Sequence, residues 1–99
     1  MQACRGWIVR SAAGRDKDTL LCVLGQEGDY FLLADGKRRK ASSPKRKKTG
    51  HVDMVCRGTF RHPAIRKLED GLTVSDSELR RALGAFRHQG GNYAWQKAI

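Results

Sequence analysis

Three short apolar runs, Trp7-Ile8-Val9, Leu20 to Leu24 and Tyr30 to Ala34, fill the first third of this 99-residue chain. Each is about five residues long and bounded by turn formers, a length that suits strands and falls short of helices. Ser11 to Asp18 forms a polar loop after the first run, and residues 25–29 connect the second to the third. Asp35-Gly36 follows the third run directly, and that dipeptide signals a hairpin turn. The return strand is expected over Lys37 to Ser42, and the alternation His51-Val52-Asp53-Met54-Val55 marks a fifth strand. Five short strands joined by tight turns predict a mainly β fold, a small antiparallel barrel.

After Val55 the pattern changes. Pro63 suits the first turn of a helix over 64–70, and Gly71 suits its stop. Ser75-Asp76-Ser77-Glu78 reads as a capping box, with the Glu78 side chain reaching back to Ser75. Leu79, Ala82, Leu83 and Phe86 then recur at helical spacing on one face, with Arg80, Arg81 and Arg87 elsewhere. That stripe is expected to pack on the barrel or on the short helix. Gly90-Gly91 is expected to end the order, leaving a loose tail in which Trp95 is the one residue suited to anchoring. The expected organisation is therefore a barrel over 1–56, a helical extension over 57–89 and a tail over 90–99.

Charge is distributed unevenly. Residues 1–36 carry four basic and five acidic side chains, residues 37–50 eight basic and none acidic, and residues 51–99 eight basic and five acidic. Most of the net charge of +10 is thus packed into one segment, Lys37-Arg38-Arg39-Lys40-Ala41-Ser42-Ser43-Pro44-Lys45-Arg46-Lys47-Lys48-Thr49-Gly50. Like charges at this density repel unless an anion neutralises them. A solvated loop kept for solubility is one reading, but mixed signs or acids serve solubility better. A polyanion is the partner implied, and nucleic acid is the usual one. Pro44 and Gly50 interrupt the run and no apolar face accompanies it, which disfavours a membrane-surface helix.

Gly6-Trp7-Ile8-Val9-Arg10-Ser11-Ala12-Ala13-Gly14-Arg15-Asp16-Lys17 resembles a KOW motif, in which a hydrophobic strand enters a loop with an obligatory glycine before a second strand. Gly14 stands at the glycine and Thr19 to Leu24 at the second strand. Gly28 to Gly36, the lysine-rich segment and His51-Val52 extend the resemblance. It is to the small bacterial KOW-domain RNA-binding proteins related to archaeal and eukaryotic large-subunit ribosomal proteins. Relatives often have Gly after the Arg-Asp-Lys triplet, where this chain has Asp18. Asp tolerates the left-handed region better than most residues, although it adds an acid beside Arg15 and Lys17. The resemblance implies an SH3-like, KOW-type five-stranded barrel followed by a short C-terminal helical segment, with motif loops and a basic strand edge that contact RNA.

The expected function is that of a non-enzymatic RNA-binding protein, ribosome-associated and cytoplasmic, with ribosomal RNA and ribosomal proteins as partners. The expected RNA-binding residues are Arg10, Ser11, Gly14, Arg15, Lys17, Lys37, Arg38, Arg39, Lys40, Lys45, Arg46, Lys47, Lys48 and His51. For Arg15, an ion pair with Asp16 or Asp18 competes with a phosphate contact. Trp7, Tyr30 and Phe31 lie in apolar runs and read as core, so recognition by shape and backbone charge is favoured over base stacking. The alternative is a protein-interaction adaptor of the transcription or translation machinery, the NusG-type role of a KOW domain. Cys4, Cys22 and Cys56, with His51, His62 and His88, lack the paired spacing of a structural zinc site. No metal, cofactor or small-molecule substrate is expected. The first six residues lack a signal-peptide pattern, and no run approaches the ~18 apolar residues of a membrane span.

Overall fold

A computed structural model describes residues 2–15 and 17–91. Five strands, β1 (Ile8–Ser11), β2 (Leu20–Glu27), β3 (Tyr30–Ala34), β4 (Lys45–Lys48) and β5 (Val52–Cys56), precede α1 (Pro63–Glu69) and α2 (Asp76–Phe86). A 3-10 turn at Thr49–His51 joins β4 to β5, and a π-turn over Arg87–Gly91 continues α2. The expected tail from Asn92 to Ile99, with Trp95, lies outside the described residues. All strand pairs are antiparallel, in the order β4-β3-β2-β1-β5. The ladders make one open sheet with β4 and β5 at its edges.

The central strands are buried on both faces, which accounts for their unbroken apolar runs. Ile8, Leu20, Cys22 and Ala34 face the helices and meet Phe60, Ala64, Ile65, Leu68, Leu79, Ala82, Leu83 and Phe86. Val9, Leu21, Val23, Phe31 and Leu33 point the other way and form a second cluster with Cys4, rimmed by Trp7, Val52 and Met54. Cys22 is fully enclosed, and burial pushes its thiol up to about 12. It behaves as a small hydrophobe.

β2 and β3 form a hairpin in which Glu27 pairs with Tyr30. Gly28, at φ +57°, takes the first of the two turn residues, where positive φ matches strand twist. The helices follow their expected signals. His62 caps α1 through Nδ1, which accepts from the Ala64 N–H at 3.1 Å, with Pro63 in the first turn. Gly71 ends the segment at φ +82°. Ser75 Oγ accepts from the Glu78 N–H at 3.2 Å while Glu78 Oε1 accepts from the Ser75 N–H at 2.9 Å.

The basic segment departs from expectation. Asp35-Gly36 does not turn the chain into a strand over Lys37 to Ser42. The return strand is β4, pairing Phe31 with Lys47 and Leu33 with Lys45. Asp35 Oδ1 instead accepts from the N–H groups of Lys37 (2.8 Å) and Arg39 (2.9 Å). The Arg39 carbonyl accepts from the N–H groups of Asp35 and Gly36, both at 3.0 Å. The resulting loop is fastened to the start of α2. The Ala41 N–H donates to Asp76 Oδ1 at 2.7 Å, and Arg80 Nη1 donates to the Gly36 carbonyl at 2.6 Å. These contacts with a distant helix override the local turn signal.

Candidate nucleic-acid interface

Two facing loops gather the cations. The β1–β2 loop is closed at its base by hydrogen bonds from the Ser11 N–H to the Thr19 carbonyl (3.0 Å) and from the Asp18 N–H to the Ser11 carbonyl (2.7 Å). Its path uses the left-handed region at Gly14 (φ +86°) and at Asp18 (φ +71°). Asp18 is the residue at which the chain departs from the glycine of the resembling motif, and Asp is among the side chains that tolerate this geometry. Opposite lies the stitched loop between β3 and β4. Two adjoining clefts separate the loops, one of about 220 Å³ lined by Arg15, Arg38, Arg39 and Lys45, the other of about 340 Å³ lined by Lys37, Arg38 and Arg87. Thr19, Asp35 and Arg38 line both.

The local electrostatics favour an anion here. Among the described residues, Arg15, Lys37, Arg38, Arg39, Lys40 and Arg87 have no ion-pair partner. Five acids are paired with other cations. Asp53 pairs with Arg10, Glu27 with Arg46, Glu69 with Arg61, Asp70 with Arg66 and Glu78 with Lys67. Asp35 lines both clefts, but its buried Oδ1 already accepts two backbone N–H groups. Among the described residues, Asp18 is the acid of the β1–β2 loop that lines the wider cleft. Arg15 and Asp18 form no ion pair among the described residues, and Asp16 is not described.

The remaining expected contacts are spread over other surfaces. Arg10 pairs with Asp53 at 2.7 Å across the β1–β5 ladder. Ser11 is fully buried, and its hydroxyl donates to the Ala13 carbonyl at 3.0 Å. Lys47 is buried beside Phe31, and its ammonium donates to the Ala13 carbonyl at 2.7 Å. Successive side chains alternate across a strand, so Arg46 and Lys48 project on the face opposite to Lys45 and Lys47. There the Arg46 guanidinium lies over the Tyr30 ring, 4.4 Å from its centroid, with Glu27 at 3.3 Å. Lys17, Lys40 and His51 are exposed, and none of them lines either cleft.

Of the three aromatics read as core, Phe31 is buried, whereas Trp7 and Tyr30 are half-buried at the rim. Arg57 sits over the Trp7 ring at 5.3 Å. The charge pattern did not single out Arg87, because its place in the cleft comes from how α2 packs. Its spacing of seven residues from Arg80, two helical turns along one flank, is the available signal.

Among the described residues, no group of three or more His, Cys, Asp or Glu side chains is placed to hold a metal ion. No helix among them is long and apolar enough to cross a membrane. No protein-family model matches the chain, and no curated protein matches it.

Proposed function

We propose that this chain is a non-enzymatic RNA-binding protein that holds the phosphate backbone of a structured RNA in the paired clefts around Arg38. The reading rests on one observation: Arg15, Lys37, Arg38 and Arg39 from two loops converge there with no ion-pair partner among the described residues, while five acids are paired with other cations. Arginine offers a planar fork for phosphate oxygens and lysine a point charge, and the clefts hold both. Ribosomal RNA in the cytoplasm is the target that the KOW resemblance suggests. A closed SH3-like barrel is the finer fold we infer. Three features support it: β5 returns beside β1, a 3-10 turn precedes β5, and Lys47 draws β4 toward the β1–β2 loop.

Titrating a fluorescent structured RNA at several salt concentrations tests the reading. Four contacts, from Arg15, Lys37, Arg38 and Arg39, give a slope of log K against log salt of about −3.6 if the RNA is duplex-like. Replacing Arg38 and Arg39 by Ala should weaken binding and make that slope shallower by about 1.8. Duplex DNA competing at equal salt should displace the RNA poorly. Unchanged affinity and slope in the double variant would overturn the assignment.

A further inference from the structure

α2 carries a glycine, Gly84, in its interior, where glycine weakens a helix relative to alanine. Two structural reasons for such a glycine are absent. Its φ is not positive, and a Cβ built on it meets, among the described residues, no atom within 4 Å beyond its neighbours and its own helix backbone. Gly36 shows the contrast, since a Cβ there would lie 2.2 Å from the Asp76 carbonyl oxygen. Another use of a bare position is close approach of a ligand's backbone.

Helical spacing places Gly84 on a definite flank. Residues three and four apart on a helix are neighbours, so Gly84 lies between Arg80 and Arg87, away from the buried stripe of Leu79, Ala82, Leu83 and Phe86. Arg80 grips the Gly36 carbonyl, and Arg87 lines the cleft with Lys37 and Arg38. The flank therefore borders the cationic cleft. Beyond Glu78, α2 and its π-turn extension carry Arg80, Arg81, Arg87 and His88 and no acid. Among the described residues, Asp18 and Asp35 are the acids lining the cleft itself. The carbonyl end of a helix disfavours an anion, and Arg87 and His88 sit where they offset that effect.

We propose that the same polymer continues out of the cleft onto α2, where its sugar-phosphate backbone is seated against bare helix at Gly84 and held by Arg87. This rests on the RNA-binding reading above and extends it from the loops to the helical layer.

Full-length variants Gly84→Ala, Gly84→Gln, Arg87→Ala and Arg38→Ala, each measured for melting temperature and for affinity to the same structured RNA, test the seat. Gly84→Ala should melt about 3–6 °C higher and yet bind roughly 3–10-fold more weakly, with Gly84→Gln weaker still. Arg87→Ala should keep its melting temperature and lower the salt slope by about 0.9. If both Gly84 variants bind like the parent while Arg38→Ala is impaired, the seat falls and the cleft stands. Weakening by Arg87→Ala alone also overturns the seat, and a lower melting temperature for Gly84→Ala contradicts the open space on which it rests. If Arg38→Ala binds normally as well, the cleft reading fails with it.

Discussion

Gly36 and Asp76 meet backbone to backbone: a Cβ on Gly36 would fall 2.2 Å from the Asp76 carbonyl oxygen, and Gly36 holds φ at +78°. Alanine there is strained twice, by the left-handed backbone and by the first turn of α2. Gly36→Ala should destabilise the protein by about 3 kcal/mol or more. Urea denaturation checks this, and an unchanged midpoint would contradict the contact.

Neighbouring lysines on β4 should behave differently. Lys47 is buried with its ammonium on the Ala13 carbonyl, whereas Lys48 is exposed. Lys47→Ala should cost about 1–2 kcal/mol through the lost hydrogen bond and stem packing. Lys48→Ala should stay within about 0.5 kcal/mol of the parent. Lys47→Ala should also leave the salt dependence of RNA binding unaltered, since its charge is turned inward. Equal denaturation midpoints for the two variants would refute the distinction.

Arg5 ties three parts of the chain together by donating to the carbonyls of Leu24 on β2, Leu68 on α1 and Leu72 beyond it. Lysine keeps the charge but lacks the planar fork that reaches several acceptors. Arg5→Lys should therefore lose about 2 kcal/mol. Hydrogen exchange offers a second readout: protection should drop first in α1 and the loop after it. Uniform protection across the variant would count against the bridge.

Glu78 links the helices and sets an acid limit. The Lys67 ammonium, bonded to its carboxylate at 2.8 Å, and then the Ser75 N–H hold its pKa at about 2, down from 4.5. A carboxylate depressed by folding supports the fold fully above the unfolded value and loses that support as pH falls toward the folded one. Between pH 4.5 and 2, the parent should therefore lose stability more steeply than Glu78→Gln. Superimposable pH profiles would show that this pair does not contribute.

Local signals carried much of the architecture. Apolar runs marked β1, β2 and β3, and Pro63, Gly71 and the Ser75–Glu78 box marked both helices, because each signal acts within a few residues of itself. β4 was hidden, since Lys-Arg-Lys-Lys has no apolar alternation and owes its strand to pairing with β3. Asp35-Gly36 misled for a related reason, as its geometry is decided by Asp76 and Arg80 on α2. The candidate site was legible in part. Charge density and the glycine loop pointed to Arg15, Lys37, Arg38, Arg39 and Lys45, which the fold brings around shared clefts. Composition alone could not separate these cleft positions from Arg10 and Lys47, which line neither cleft, or find Arg87, which arrives with a helix.

Fastening the cationic loop to α2 has a thermodynamic consequence. Docking that helix adds to the loop's own Asp35 hydrogen bonds in holding Lys37, Arg38 and Arg39 near one another, so mutual repulsion works against the native state and multivalent counterions work for it. Any polyanion that prefers this assembled surface raises the unfolding free energy by RT ln(1 + L/Kd) at free concentration L, a gain that keeps growing with the logarithm of its concentration above Kd. Heparin or polyphosphate, neither of which carries bases, should then act as a chemical chaperone for the α2 layer, with an effect that fades as sodium chloride is added.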